Sequence, residues 1–202
     1  QQAPAAGGKR FEPRLLREIE HVTTQQRTPV TGQALEPMAM APADVELILR
    51  AMHGVTQEGT STRVFLGAPY KTGGKTGTAQ AVTVKQNEKY NASKLDEHQR
   101  DHSLYIAFAP LEAPTIALAV VVENAGFGAA AAAPIARRVF DYALLGLWPS
   151  DEDMAATRTG TSAAPIGKQR QAASVAMPSG MAPGASLAVP PAGPATAPTA
   201  QP

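Results

Sequence analysis

The sequence predicts an α+β fold, an antiparallel sheet with packed helices. Three observations carry that expectation. Ala43 to Val55 repeats apolar residues at helical spacing. Ser103 to Ala109 and Thr115 to Val122 read as strands joined by the short Pro110–Pro114 connection, the pattern of an antiparallel hairpin. Ala130 to Leu147 has the length and apolar stripe of a helix that packs on such a sheet.

The elements follow in order. Gln1 to Gly8 is loop-like. Phe11 to Glu20 carries Phe11, Leu15, Leu16 and Ile19 and reads either as a short strand entering a turn or as a helical turn. Pro13 disfavours a long helix from Phe11. Residues 21–41 are polar, with breaks at Thr31-Gly32 and Pro37. In the first helix Val45, Leu47, Ile48, Ala51, Met52 and Val55 share a face. Asp44 favours its start through the helix dipole and Gly54 marks its end. Thr56 to Thr62 is a Gly/Thr loop, and residues 75–84 form a strand.

Residues 85–102 are strongly polar, with a short helix predicted from Ser93, where Asp96 completes an approximate capping box. In the hairpin, Leu104, Ile106 and Phe108 share a face. Thr115 to Val122 is continuously apolar and is predicted to be a central strand buried on both faces. In the last helix Ile135, Val139, Tyr142, Ala143 and Leu147 line one side, with Arg137 and Arg138 on a solvated face.

Composition divides the chain into 1–148 and 149–202. Every aromatic residue lies at or before Trp148, and half of the 18 prolines lie from Pro149 onward. The Ala/Pro-rich second part has too little large apolar surface to offset chain entropy, so it is expected to be a disordered tail. The first part, about 140 residues, suffices for one core. Net charge is +1, which gives no footprint for nucleic acid. The absence of cysteine excludes disulfides and thiol catalysis and suits an oxidising compartment. No apolar run reaches membrane-spanning length; the longest strong run, Ile116 to Val122, is strand-sized.

The richest local signal is Gly73-Gly74-Lys75-Thr76-Gly77-Thr78-Ala79-Gln80. A lysine and two hydroxyls precede an alternating stretch, and the glycines let another molecule approach the backbone closely. Gly74-Lys75-Thr76 also matches the end of a phosphate-binding loop. That pattern needs glycine at position 69, where Pro69 stands, and a helix afterwards, where the sequence alternates like a strand. Lys-Thr-Gly is instead a signature of penicillin-recognising serine acyl-transferases. No serine has a lysine three residues later, and no Ser-x-Asn occurs, so the chain carries one wall of such a site without its nucleophile.

Several longer runs sharpen this. Ala68-Pro69-Tyr70-Lys71, Gly74 to Gln80, Lys85 to Ala92, Arg100-Asp101-His102, Ile106 to Pro110, Val120 to Asn124 and Ala133 to Arg137 through Asp141-Tyr142 together resemble class B penicillin-binding proteins, in particular the penicillin-binding protein 2 type that serves cell elongation. The resemblance spans roughly residues 8–148. It implies a peptidoglycan D,D-transpeptidase that cross-links stem peptides ending in D-Ala-D-Ala by serine acyl transfer and is acylated by β-lactams. It implies no cofactor and no metal. It also implies an inner-membrane protein with a periplasmic catalytic domain and a glycosyltransferase partner in the elongation complex. This chain would then be the C-terminal portion of a longer protein. By the same resemblance the backbone N–H of Thr78 is an oxyanion donor, Lys75 supplies positive charge near the substrate carboxylate, Thr76 and Thr78 hydroxyls donate to it, and Gly77 lets substrate pair along the strand edge. The plainer reading is a solvated strand lysine among threonines that suit a strand. A non-catalytic penicillin-binding-like scaffold module is the alternative function, and a related serine β-lactamase or carboxypeptidase is disfavoured by the 85–102 insertion.

The histidines give weaker signals. His98 and His102 have i, i+4 spacing, but Gln99 stands where a zinc-protease pattern wants glutamate, so they read as a solvated polar face. His53 is placed near a helix end, where a cation is favoured.

Overall fold

A computed structural model describes residues 9–82, 90–160 and 163–175. Its centre is a three-stranded antiparallel sheet built from β5 (Gly73–Ala79), β6 (His102–Ala109) and β7 (Ile116–Val122), in the order β5-β6-β7. Short antiparallel ribbons precede it: β1 (Arg10–Phe11) pairs with β4 (Ala34–Leu35), and β2 (Glu18–Glu20) with β3 (Arg27–Pro29). Between ribbons and sheet lie α1 (Pro42–Gln57) and the single turn α2 (Thr62–Phe65). After β7 come α3 (Ala132–Leu145), β8 (Leu147–Trp148), α4 (Asp151–Arg158) and β9 (Arg170–Gln171), which pairs with β8. The α+β expectation holds.

The hairpin forms where its sequence placed it, but its strands exchange roles. Thr115 to Val122 was expected to be central; β6 is central, and β7 is the outer strand of the sheet among the described residues. Ile116, Leu118, Val120 and Val122 pack on the core, while Val121 on the alternate face is 63% exposed. A continuously apolar strand therefore needs only one covered face here. The strand expected over 75–84 begins earlier and stops at Ala79. Its register explains both limits: Gly73 opposes Phe108 and Ala79 opposes His102, the first residue of β6. Residues 83 and 84 lie outside the described residues. The helix expected from Ser93 is two 3₁₀ turns, Ala92–Lys94 and Glu97–Gln99; Asn91 rather than Ser93 caps the first, its side chain accepting from Ser93 N at 3.1 Å.

The face that α3 presents differs most from expectation. Ala132, Ala133, Ala136 and Phe140 are fully buried, whereas Ile135, Val139 and Tyr142 remain 39–40% exposed. Alanines let the helix axis approach the sheet closely, and Phe140 then meets the rings of Phe65 and Tyr70. Arg137, expected on a solvated face, is buried. Its Nε pairs with Asp141 Oδ1 at 2.9 Å, and its Nη1 donates to Val64 O and Leu66 O. Asp141 also accepts from Tyr70 Oη and Gln169 Nε2. Two buried charges are tolerated because they pair with each other and each has further hydrogen-bond partners. Burial, reinforced by Asp141, pushes the Tyr70 phenol well above its ordinary value, so it stays a neutral donor. Gly146 closes α3 in the left-handed conformation at φ 64°, and residue 147 leaves in a strand rather than extending the helix.

The segment expected to be a disordered tail also departs from its composition. Ser150 caps α4 by accepting from Asp153 N at 3.0 Å, and Asp151, Glu152 and Asp153 suit the positive end of its dipole. Asp153 is completely buried and pairs with Arg138, Nε to Oδ2 at 2.9 Å. Ser150 Oγ donates to Ile166 O and Ala172 N to Gly146 O. Large apolar residues are not required when one carboxylate and a set of backbone bonds fasten the segment. The expectation for residues 176–202 lies outside the described residues. Removing one partner of a buried ion pair leaves the other uncompensated, so Asp153→Ala is expected to lower unfolding free energy by about 3–5 kcal/mol, read from urea denaturation.

Candidate active site

The predicted site residues lie on β5. In an antiparallel pair, opposed residues share a face. Gly74, Thr76 and Thr78 oppose Ala107, Tyr105 and Ser103, and Gly73, Lys75 and Gly77 oppose Phe108, Ile106 and Leu104. The strand therefore brings Thr76 and Thr78 together on one face and sets Lys75 on the other. Lys75 is exposed, and its amine turns back to donate to Thr76 O at 2.6 Å. Gly77 N, Gly77 O and Leu104 O all lie within 3.0 Å of the point a Cβ on Gly128 would occupy, so Gly77 turns its backbone groups to β6 and Thr76 turns its own away. Backbone direction alternates along the ladder, so Thr78, two residues on, turns its N–H and C=O the same way. Among the described residues no strand pairs with that edge.

The glycines divide into two uses. Gly73 and Gly74 were expected to admit an approaching molecule, but their space is filled from within. A Cβ on Gly73 would lie 2.5 Å from Phe108 Cζ, and one on Gly74 would lie 2.1 Å from Tyr105 Oη. They anchor the strand to the core. Gly77 is different: its Cβ would meet Leu104 Cβ at 3.2 Å, a tight contact. Its other face carries the loop before α3, because a Cβ on Gly128 would sit 2.7 Å from Gly77 O and 2.3 Å from Leu104 O.

Several supporting residues gave no signal in the sequence. Thr60, in an undistinguished Gly/Thr loop, has its hydroxyl 3.0 Å from that of Thr76. His53, expected to sit as a cation at a helix end, lies inside α1 and donates through Nδ1 to Thr72 O at 3.0 Å. Thr56 Oγ1 donates to the same carbonyl, and Thr72 Oγ1 donates to Phe108 O at 2.6 Å, so α1 and β6 together hold the entry to β5. Ser61 Oγ donates to Val55 O, which leaves Tyr105 Oη to donate to Ser61. Burial pushes the Tyr105 phenol up to about 12, against a smaller opposing effect of the Ser61 bond. These contacts join residues far apart in sequence, and no local pattern encodes them. His102 Nδ1 accepts from Asn124 N at 3.0 Å and His98 lies in a separate 3₁₀ turn. No group of three or more His, Cys, Asp or Glu that could hold a metal occurs among the described residues.

A lysine and two threonines on a free strand edge, rooted by paired glycines, suit recognition of an extended peptide with a terminal carboxylate. Comparison with known proteins places the chain in a family. The family model of the penicillin binding protein transpeptidase domain matches residues 2–141. The chain belongs to that family. The transpeptidase domain is similar to the peptidoglycan D,D-transpeptidase MrdA of Haemophilus influenzae, 38% identical over 141 residues that are 68% of this chain and 21% of that protein. It is also similar to the MrdA of Escherichia coli K12, 40% identical over 59% of this chain and 19% of that protein. Among solved structures, the PBP2 of Pseudomonas aeruginosa superimposes with a TM-score of 0.51 at 29% identity, covering 71% of this chain and 27% of that one. The imipenem acyl-enzyme of penicillin-binding protein A from Mycobacterium tuberculosis superimposes with a TM-score of 0.52 at 27% identity, covering 70% and 28%. The chain spans about a fifth of the curated relatives it matches.

A glycine whose space is filled separates experimentally from one with room for a methyl. Gly74→Ala drives a methyl into the Tyr105 hydroxyl and is expected to cost about 1–3 kcal/mol or more in urea denaturation. Gly54→Ala, inside α1 with Glu58 Oε1 at 3.7 Å as its nearest neighbour, is expected to be neutral or stabilising by up to about 1 kcal/mol.

Proposed function

We propose that this chain forms the substrate-recognition wall of a peptidoglycan D,D-transpeptidase of the elongation type, with the nucleophile supplied by polypeptide outside it. Family membership and the absence of Ser-x-x-Lys and Ser-x-Asn support that reading together. The observation that carries it is the free edge of β5, with Thr76 and Thr78 on one face and the Thr78 amide turned outward.

In the reaction a serine attacks the carbonyl of a D-Ala-D-Ala peptide, its oxygen gaining the acyl group as D-alanine leaves. An amine of a neighbouring stem peptide then takes the acyl group and frees the serine. β-Lactams enter by the first step and remain attached. The Thr78 amide donates to the oxyanion of both tetrahedral intermediates, at an edge that no strand among the described residues occupies. Thr76 and Thr78 hydroxyls donate to the substrate carboxylate. Lys75 adds positive charge and can exchange its bond to Thr76 O for one to an anion, since its chain is exposed. Gly77 lets substrate pair along the strand edge, since a side chain there would crowd Leu104 and shift the strand. The wider setting we propose is a periplasmic domain of an inner-membrane protein working with an elongation-complex glycosyltransferase. No helix among the described residues is long and apolar enough to cross a membrane, and the reading places the anchor elsewhere in the protein.

The test is the rate of acylation by fluorescent penicillin in the full-length transpeptidase. Thr78→Ala keeps the amide and is expected to be mildly slowed. Thr78→Pro deletes it and is expected to be slower by about 10²–10³. Lys75→Ala is expected to weaken the encounter with the anionic drug more than the chemical step. Equal rates for folded Thr78→Pro and Thr78→Ala would remove the residue 78 amide from the mechanism.

A further inference from the structure

We propose that Ser103 is a positioning residue for the acyl-transfer edge, acting with Gly128 to fix where the Gly77–Thr78 backbone lies. This rests on the reading of Thr78 as an oxyanion donor.

Ser103 opposes Thr78 in the β5–β6 register and shares its face. It is fully buried, and its hydroxyl both donates and accepts: Oγ donates to Phe127 O at 3.0 Å and accepts from Ala132 N at 3.1 Å. One side chain thus ties the first residue of α3 and the loop before it to the strand that pairs with Thr78. A loop with two glycines is otherwise loosely determined, and Gly126 is in the left-handed region at φ 75°. A second tie comes from Gly126 N, which donates to Asp101 O at 2.8 Å.

The held loop presses on the site itself. Gly128 is buried directly over Gly77, at a distance that admits no Cβ. The loop is therefore a stop against which the Gly77 backbone rests, with Leu104 on the opposite face. An edge amide that must meet an oxyanion has to be fixed to a fraction of an ångström, and displacement by about 1 Å is enough to cost about 10² in rate. Gly77 has no side chain of its own to lock it. The Ser103–Phe127–Ala132 bonds and the Gly128 contact supply that constraint from the face away from Leu104.

The experiment measures penicillin acylation of the full-length transpeptidase under pre-steady-state conditions, separating the acylation rate constant from the labelled fraction. Ser103→Ala frees the loop, and Gly128→Ala pushes it against Gly77. Both are expected to lower the rate constant about 10- to 10²-fold, with the labelled fraction complete and the non-covalent affinity within about twofold of wild type. A structural role alone would reduce the labelled fraction and leave the rate constant of the folded molecules unchanged; that result overturns the proposal. Should either variant fail to fold, Ser103→Cys decides, because its slightly larger thiol stays in the same place and weakens both bonds. A slowed rate supports positioning, and a wild-type rate overturns it. Absence of any acylation in the wild-type protein would instead refute the transpeptidase reading.

Discussion

The fit of two aromatic rings against two glycines governs the arrangement of this domain. Phe108 and Tyr105 fill the space that side chains at residues 73 and 74 would need. Strand β5 can therefore lie flat on the core at its first two residues and stay paired with β6 as far as Ala79. Tyr105 carries the constraint further: its hydroxyl reaches Ser61, its ring stacks on Phe65, and Phe65 meets Phe140 of α3. The rooted end of the strand and the helix behind the sheet are thus one packed unit. The far end of the strand takes part of its position from a contact several residues away.

Charge does the fastening that apolar residues do elsewhere. The inner face of α3 is mostly alanine, which allows close approach but offers little specificity. Arg137 and Asp141 supply it, reaching the end of α2, Tyr70 and Gln169. Arg138 and Asp153 do the same for α4. A fully bonded buried pair gives little net stability over an apolar equivalent, but breaking it is costly, so it selects one packing over its neighbours. The chain from β5 to β9 thereby holds together although its apolar content falls steeply after Trp148.

Legibility followed the range of the interactions. The helix over 43–55, the hairpin over 103–122 and the antiparallel order could be read because periodicity and short connections are local signals. The placement of Lys75 to Thr78 on a strand was readable because it rests on a few consecutive residues. The buried face of α3 was misread because its apolar stripe is outweighed by a charge pair whose acceptors, Val64 O and Leu66 O, are about 70 residues away along the chain. Residues 149–175 were misread for a similar reason: composition counts apolar surface and overlooks a single buried aspartate. Gly73 and Gly74 looked like openings for a ligand, and only tertiary packing distinguishes an opening from a socket.

We propose that this chain holds the recognising wall of an acyl-transfer site and not its nucleophile. Intact-mass and peptide mapping after penicillin treatment address it most directly. The 202-residue chain alone is predicted to gain no covalent adduct, while the full-length protein gains one, on a serine outside these residues. A stoichiometric acyl adduct on any serine of this chain would contradict the account.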